Sequence, residues 1–87
     1  MATDFTEFWL VTIPYRHKET MRERSERRNA ARAQLKEAGF ESEYKFHFKH
    51  SQAQKLGLAM KAKAEAKAKE IFDATGIEME VTQGMYL

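Results

Sequence analysis

Phe5-Thr6-Glu7-Phe8-Trp9-Leu10-Val11-Thr12-Ile13 is the run on which the architecture turns. It is apolar on both faces of an extended strand. Trp9, Val11 and Ile13 point one way; Phe8 and Leu10, flanked by Thr6 and Thr12, point the other. A strand of that kind needs cover on two sides, from helices, from a partner chain or from a ligand. Pro14 ends it, because proline cannot donate to a ladder.

Working outward, a helix is expected from about His17 to Ala38, or from Thr20 if Thr20-Met21-Arg22-Glu23 acts as a capping box. Helical spacing puts Thr20, Arg24, Ala31, Leu35 and Ala38 near one stripe, with Met21 and Arg28 at its edge. The second half of that stripe is apolar and the first half carries arginine. Its N-terminal turns are therefore expected to overhang the sheet or face a partner. Gly39 supplies a left-handed stop, and Phe40 is placed to fold back on the last turn. Glu41 to Lys49 reads as a second strand, with Tyr44, Phe46 and Phe48 alternating against Glu43, Lys45, His47 and Lys49. Ser51-Gln52-Ala53-Gln54 reads as another capping box, opening a long helix through Ala74.

The centre of that helix, Lys61 to Lys69, alternates with period two, yet alanine, lysine and glutamate favour helix over strand. Its inward stripe is Ala53, Leu56, Met60, Ala64, Ala68, Ile71 and Phe72; Leu58, Ala59, Ala62 and Ala66 form a second, small-residue face. A last strand is expected from Ile77 to about Thr82, resuming through Met85-Tyr86-Leu87. Gly39-Phe40-Glu41-Ser42-Glu43-Tyr44 and Gly76-Ile77-Glu78-Met79-Glu80-Val81 share one pattern. Two helix-to-strand junctions with the same capping needs explain it more simply than a duplication.

The whole chain, residues 1–87, is expected to be a single α+β domain, a small α/β sandwich in βαβαβ order with a three-stranded sheet and two long helices. If the helices split across the sheet, Phe8 and Leu10 are core. If both cover one face, Phe8 and Leu10 lie bare beside Lys45, His47, Lys49, Glu78 and Glu80. A ferredoxin-like βαββαβ alternative uses the alternation of Leu56, Leu58 and Met60 to make a strand of Lys55 to Lys61. Gly57 and the lack of a helix N-cap near Ala62 argue against it.

With no cysteine, disulfides, zinc–thiolate sites and cysteine nucleophiles are excluded. Asp4 and Glu7 sit where a signal peptide would be uncharged, and no run is long enough to span a bilayer, so a soluble, cytoplasmic protein without membrane contact is expected. Fifteen lysines and arginines against 13 acidic residues give a net charge of +2, too little to steer nucleic acid over long range. Clusters have to carry that argument.

His47 and His50 diverge in a strand, and His17 has no fixed relation to them, so no metal site is expected. Catalytic triads, phosphate loops and metalloprotease helices are absent, which disfavours an enzyme, a cofactor or a small-molecule substrate. The densest charge lies in Arg22, Arg24, Arg27, Arg28 and Arg32, with Arg22–Glu26 and Glu23–Arg27 as neutralising helical pairs. Tyr44 to Lys49 interleaves aromatic and basic residues, but alternation sends its aromatics to the core and leaves Lys45, His47 and Lys49 outside, with Phe8 as the ring that can stack beside them.

Two functions follow. The first is a protein-binding module: a regulatory, adaptor or inhibitor protein docking on a macromolecular partner or on itself as a homodimer, such as an accessory protein of a phage or mobile element. Its contacts would be Phe8, Leu10, Arg22, Arg24, Arg27 and Arg28. The second is an RNA or single-stranded DNA binder using Lys45, His47, Lys49 and the arginines.

Overall fold

The computed structural model describes residues 5–52 and 54–86. Strand β1 (Thr6–Thr12), helix α1 (Met21–Glu37), strand β2 (Glu43–Lys49), a 3-10 turn (His50–Gln52), helix α2 (Leu56–Thr75) and strand β3 (Glu80–Tyr86) follow in that order. This is the expected small α+β fold in βαβαβ order. The sheet runs β2-β1-β3, and β1 is antiparallel to both neighbours. The doubly apolar strand is central, and β2 and β3 are both edges.

One sheet face is packed under α2. Val11 and Ile13 are buried there, Phe48 nearly so, and Ala64 and Ile71 of α2 close over them. Gly57 makes the close approach: a Cβ at that position would stand 3.1 Å from the Phe48 ring. The Trp9 indole N–H donates to the Gly57 carbonyl at 2.9 Å, tying the central strand to the first turn of the helix. Residues 56–61 are therefore helix, and the ferredoxin-like alternative fails, because strong helix formers and a glycine fitted against Phe48 outweigh the short alternation of Leu56, Leu58 and Met60.

The second helix does not begin at Ser51. The His50 amide donates to the Phe5 carbonyl at 2.8 Å, which prolongs the sheet pairing by one residue, and the chain then turns through His50–Gln52 before α2 starts at Leu56. Ala53, expected in that capping box and inward stripe, lies outside the described residues, as do Asp4 and Leu87. The last strand is also displaced. Ile77 and Met79 precede β3 and pack on the core, while β3 runs without a break from Glu80 to Tyr86.

Helix α1 enters the core through its C-terminal end. Thr20 caps it, accepting from the Glu23 amide at 3.1 Å, as the capping box requires. At the other end Ala38 is the C-cap and Gly39 has φ +86°; the Phe40 amide reaches the Leu35 carbonyl at 2.8 Å, and the Gly39 amide reaches Lys36 at 3.1 Å. That is a Schellman stop. Leu35 packs with Ile13 and Ile71, joined by Phe40 and Ile77. Ahead of Leu35, no residue of α1 is fully buried, so its N-terminal half overhangs the core, and the molecule measures 46 × 27 × 18 Å.

Both junctions of the internal repeat end a helix at a left-handed glycine, through different hydrogen bonds. At the second the Gly76 amide donates to the Phe72 carbonyl at 2.7 Å and the Ile77 amide to the Thr75 hydroxyl at 3.2 Å. Gly76, like Gly39, has positive φ, at +77°. Phe40 and Ile77 follow the two glycines into the same core cluster, and Glu43 and Glu80 both pair with Thr12 of β1. Among the described residues, no helix is long and apolar enough to cross a membrane.

Candidate binding surface

The face of the sheet turned away from α2 is covered by no described helix. Register places its side chains: Lys49, His47, Lys45 and Glu43 from β2; Thr6, Phe8, Leu10 and Thr12 from β1; Tyr86, Gly84, Thr82 and Glu80 from β3. Phe8 and Leu10 are half-buried within their own face rather than beneath a helix.

At one end of this face three rings meet. Phe8 lies 4.9 Å from Tyr86 and 5.8 Å from His47 between ring centres, and His47 and Tyr86 are 5.7 Å apart and nearly parallel, at 17°. Gly84 makes this possible. A Cβ there would fall 2.4 Å from the tip of the Phe8 ring, so the missing side chain lets the ring lie across β3. The Lys45 ammonium sits 5.1 Å from the Phe8 ring centre and 5.4 Å from that of Tyr86, and donates to the Tyr86 hydroxyl at 3.1 Å. That hydrogen bond, with a smaller attraction from Glu43 at 3.6 Å, holds the Lys45 pKa above the ordinary lysine value. Lys45 is thus a cation across the neutral range.

Charge on the face is graded, with Glu43 in contact with Lys45. Lys45 and Lys49 stand on either side of His47 along β2, and Glu43 and Glu80 stand opposite Thr12 at the other end of the face. Glu78, expected near the basic side chains, precedes β3 and does not join the face.

The arginines are divided. Arg22 pairs with Glu26 at 3.2 Å on an open helix surface, where such pairs contribute little. Arg27 does not meet Glu23, which serves the Thr20 cap instead. It reaches back to Glu19 at 2.6 and 3.0 Å and to the Pro14 carbonyl at 2.8 Å, buttressing the β1–α1 connection. Arg24 and Arg28 converge on Tyr15, each guanidinium carbon 4.6 Å from its ring centre. Among the described residues, no group of three or more potential metal ligands forms.

Two features are not apparent in the sequence. Tyr86 completes the ring cluster, and Tyr15 receives the two arginines. Gly84, which falls in the expected break between Thr82 and Met85, is the available signal for the first, since a glycine within a strand marks close approach. Nothing local marks Tyr15. Comparison with known families, with characterised proteins and with solved structures finds no match to this chain.

Proposed function

We propose that this protein is a non-enzymatic binding module whose open sheet face takes single-stranded RNA or DNA. The observation that supports this best is the Phe8–His47–Tyr86 ring cluster flanked by Lys45 and Lys49 on an uncovered sheet. Bases stack on such rings, and lysines attract the phosphates between them. The absence of cysteine is consistent with a cytoplasmic site of action.

Fluorescence anisotropy with labelled mixed-sequence single strands tests it. Binding is expected at low salt and should weaken steeply as salt rises. Phe8→Ala and Tyr86→Ala should each weaken it by about 1–3 kcal/mol, the range for one base–aromatic stack, with the circular dichroism spectrum of the folded protein retained. No binding at low salt, or binding indifferent to both changes, would refute the reading.

Docking on a protein partner, including a second copy, is the other reading, and a different observation supports it. Leu58 and Phe72 of α2 are 69% and 49% exposed, the former beside the small residues Ala59 and Ala62. A dimer in light scattering that Leu58→Glu dissolves, but Phe8→Glu with Leu10→Glu does not, would assign the contact to α2.

A further inference from the structure

Arg24, Arg28 and Arg32 follow one another at four-residue intervals on α1, so their Cα atoms rise by about 6 Å per step and the row extends about 12 Å. Among the described residues, none of the three forms an ion pair, in contrast to Arg22 and Arg27 beside them. Arg32 has only a long 3.5 Å contact to the Asn29 side chain. Two N–H groups of the row, Arg24 Nε and Arg28 Nη1, are shielded from solvent and donate to nothing. Shielded guanidinium donors without acceptors are unfavourable.

The arrangement is unfavourable in two further ways. Like charges four residues apart on a helix repel, and Arg24 stands near the positively polarised N-terminal end. Yet the side chains do not splay apart. Arg24 and Arg28 are gathered over Tyr15, and they line, with Ser25, Asn29 and Arg32, a cleft of about 240 Å³ whose lining includes no carboxylate. Tyr15 holds two of the three cations over its ring, while among the described residues no carboxylate neutralises the row. An oxyanion in the cleft would meet the guanidinium groups of Arg24, Arg28 and Arg32 and offset their mutual repulsion.

We infer that Arg24, Arg28 and Arg32, with Tyr15, form a second nucleic-acid contact, directed at the phosphate backbone and distinct from the ring cluster on the sheet. The inference rests on the nucleic-acid reading above. Spacing selects a polyanion over a single ion. Three cations in a row of about 12 Å suit several linked phosphates of one strand, up to one for each arginine. Arginine forks suit phosphate oxygens in paired hydrogen bonds.

The test is the salt dependence of oligonucleotide binding by the full chain. For a single strand, the slope of log affinity against log salt falls by about 0.7 for each phosphate that the protein no longer neutralises. Arg24→Gln/Arg28→Gln/Arg32→Gln should therefore reduce the slope by about 2, whereas Phe8→Ala/Tyr86→Ala should lower affinity at every salt concentration and leave the slope in place. Glutamine keeps the helix propensity, so circular dichroism and the melting temperature should be preserved. Inorganic tripolyphosphate should also shift the Tyr15 ring resonances in the wild type and not in the triple variant.

If single strands bind through Phe8 and Tyr86 but the triple variant keeps the full slope, the row is refuted and the sheet reading stands. If the triple variant loses the slope while Phe8→Ala/Tyr86→Ala has no effect, the row stands and the sheet reading falls. Absence of any oligonucleotide binding refutes both. Competition by polyglutamate equal to that by the oligonucleotide, abolished in the triple variant, would give the row to an acidic protein instead and overturn the inference.

Discussion

Gly84 governs the open face through what it omits. Its Cβ would overlap the Phe8 ring tip at 2.4 Å, and that ring is the flexible end of a half-buried side chain. The ring can swing outward more readily than the backbone can move. Gly84→Ala should therefore leave the fold intact, with a loss of about 1 kcal/mol, at the low end of the range for overpacking. It should still break the Phe8–His47–Tyr86 cluster. Loss of the ring-current shifts on His47 and Tyr86, with an unchanged α2 spectrum, is the expected NMR signature. Binding of single strands should fall as far as in Phe8→Ala. At this scale the sequence is half legible. Alternation in β1 separates Phe8 and Leu10 from Trp9, Val11 and Ile13, and register confirms that division. Gly84 and Tyr86 escape because a glycine between Gln83 and Met85 looks like an interruption until the ring that fills its place is known.

Among the elements, α1 is the one held least. Leu35 is its fully buried residue, packed with Ile13 and Ile71, and Arg27 fastens the opposite half to Glu19 and Pro14. Leu35→Ala should cost about 2–5 kcal/mol. The change should perturb resonances of α1, Ile13 and Ile71 while sparing Phe8, His47 and Tyr86 on the other side of the sheet. Glu19 supplies the pH dependence. The hydrogen bond from Arg27 holds its carboxyl below the ordinary glutamate value. A carboxylate with a depressed folded pKa stabilises the fold above its unfolded pKa, and that contribution disappears as pH falls through the folded one. Melting temperature should drop as pH goes below about 4, and Glu19→Gln should flatten that limb while lowering stability at neutral pH. Caps of α1 are legible, because Thr20 with Glu23 and Gly39 with Phe40 act within a few residues. The Glu19–Arg27 pair is not, since a local i,i+4 rule offers Glu23 first, and the choice depends on how the chain leaves Pro14. The start of α2 differs from its expected place for a related reason: Ser51 offers a cap, but the pairing of His50 with Phe5 and the fit of Gly57 against Phe48 set where the helix begins.

Across the whole molecule, one strand divides two duties. The same seven residues of β1 hold the core on one side and present the ring cluster on the other. Helix α2 closes the first side; the second has no counterpart among the described residues. The fork posed by a doubly apolar strand is visible in the sequence, while its outcome requires knowing that α1 hangs from the end of the sheet instead of lying across it. Trp9 turns this two-sidedness into an optical property. It is the chain's single tryptophan, it points into the covered side, and its indole N–H is engaged by the Gly57 carbonyl at 2.9 Å with the Lys61 ammonium 5.3 Å from the ring centre. Its emission therefore reports whether α2 is docked on the sheet and is insulated by the β1 backbone from anything that lands on Phe8. A titration recorded at two wavelengths can then follow a labelled strand and the integrity of the fold in the same cuvette.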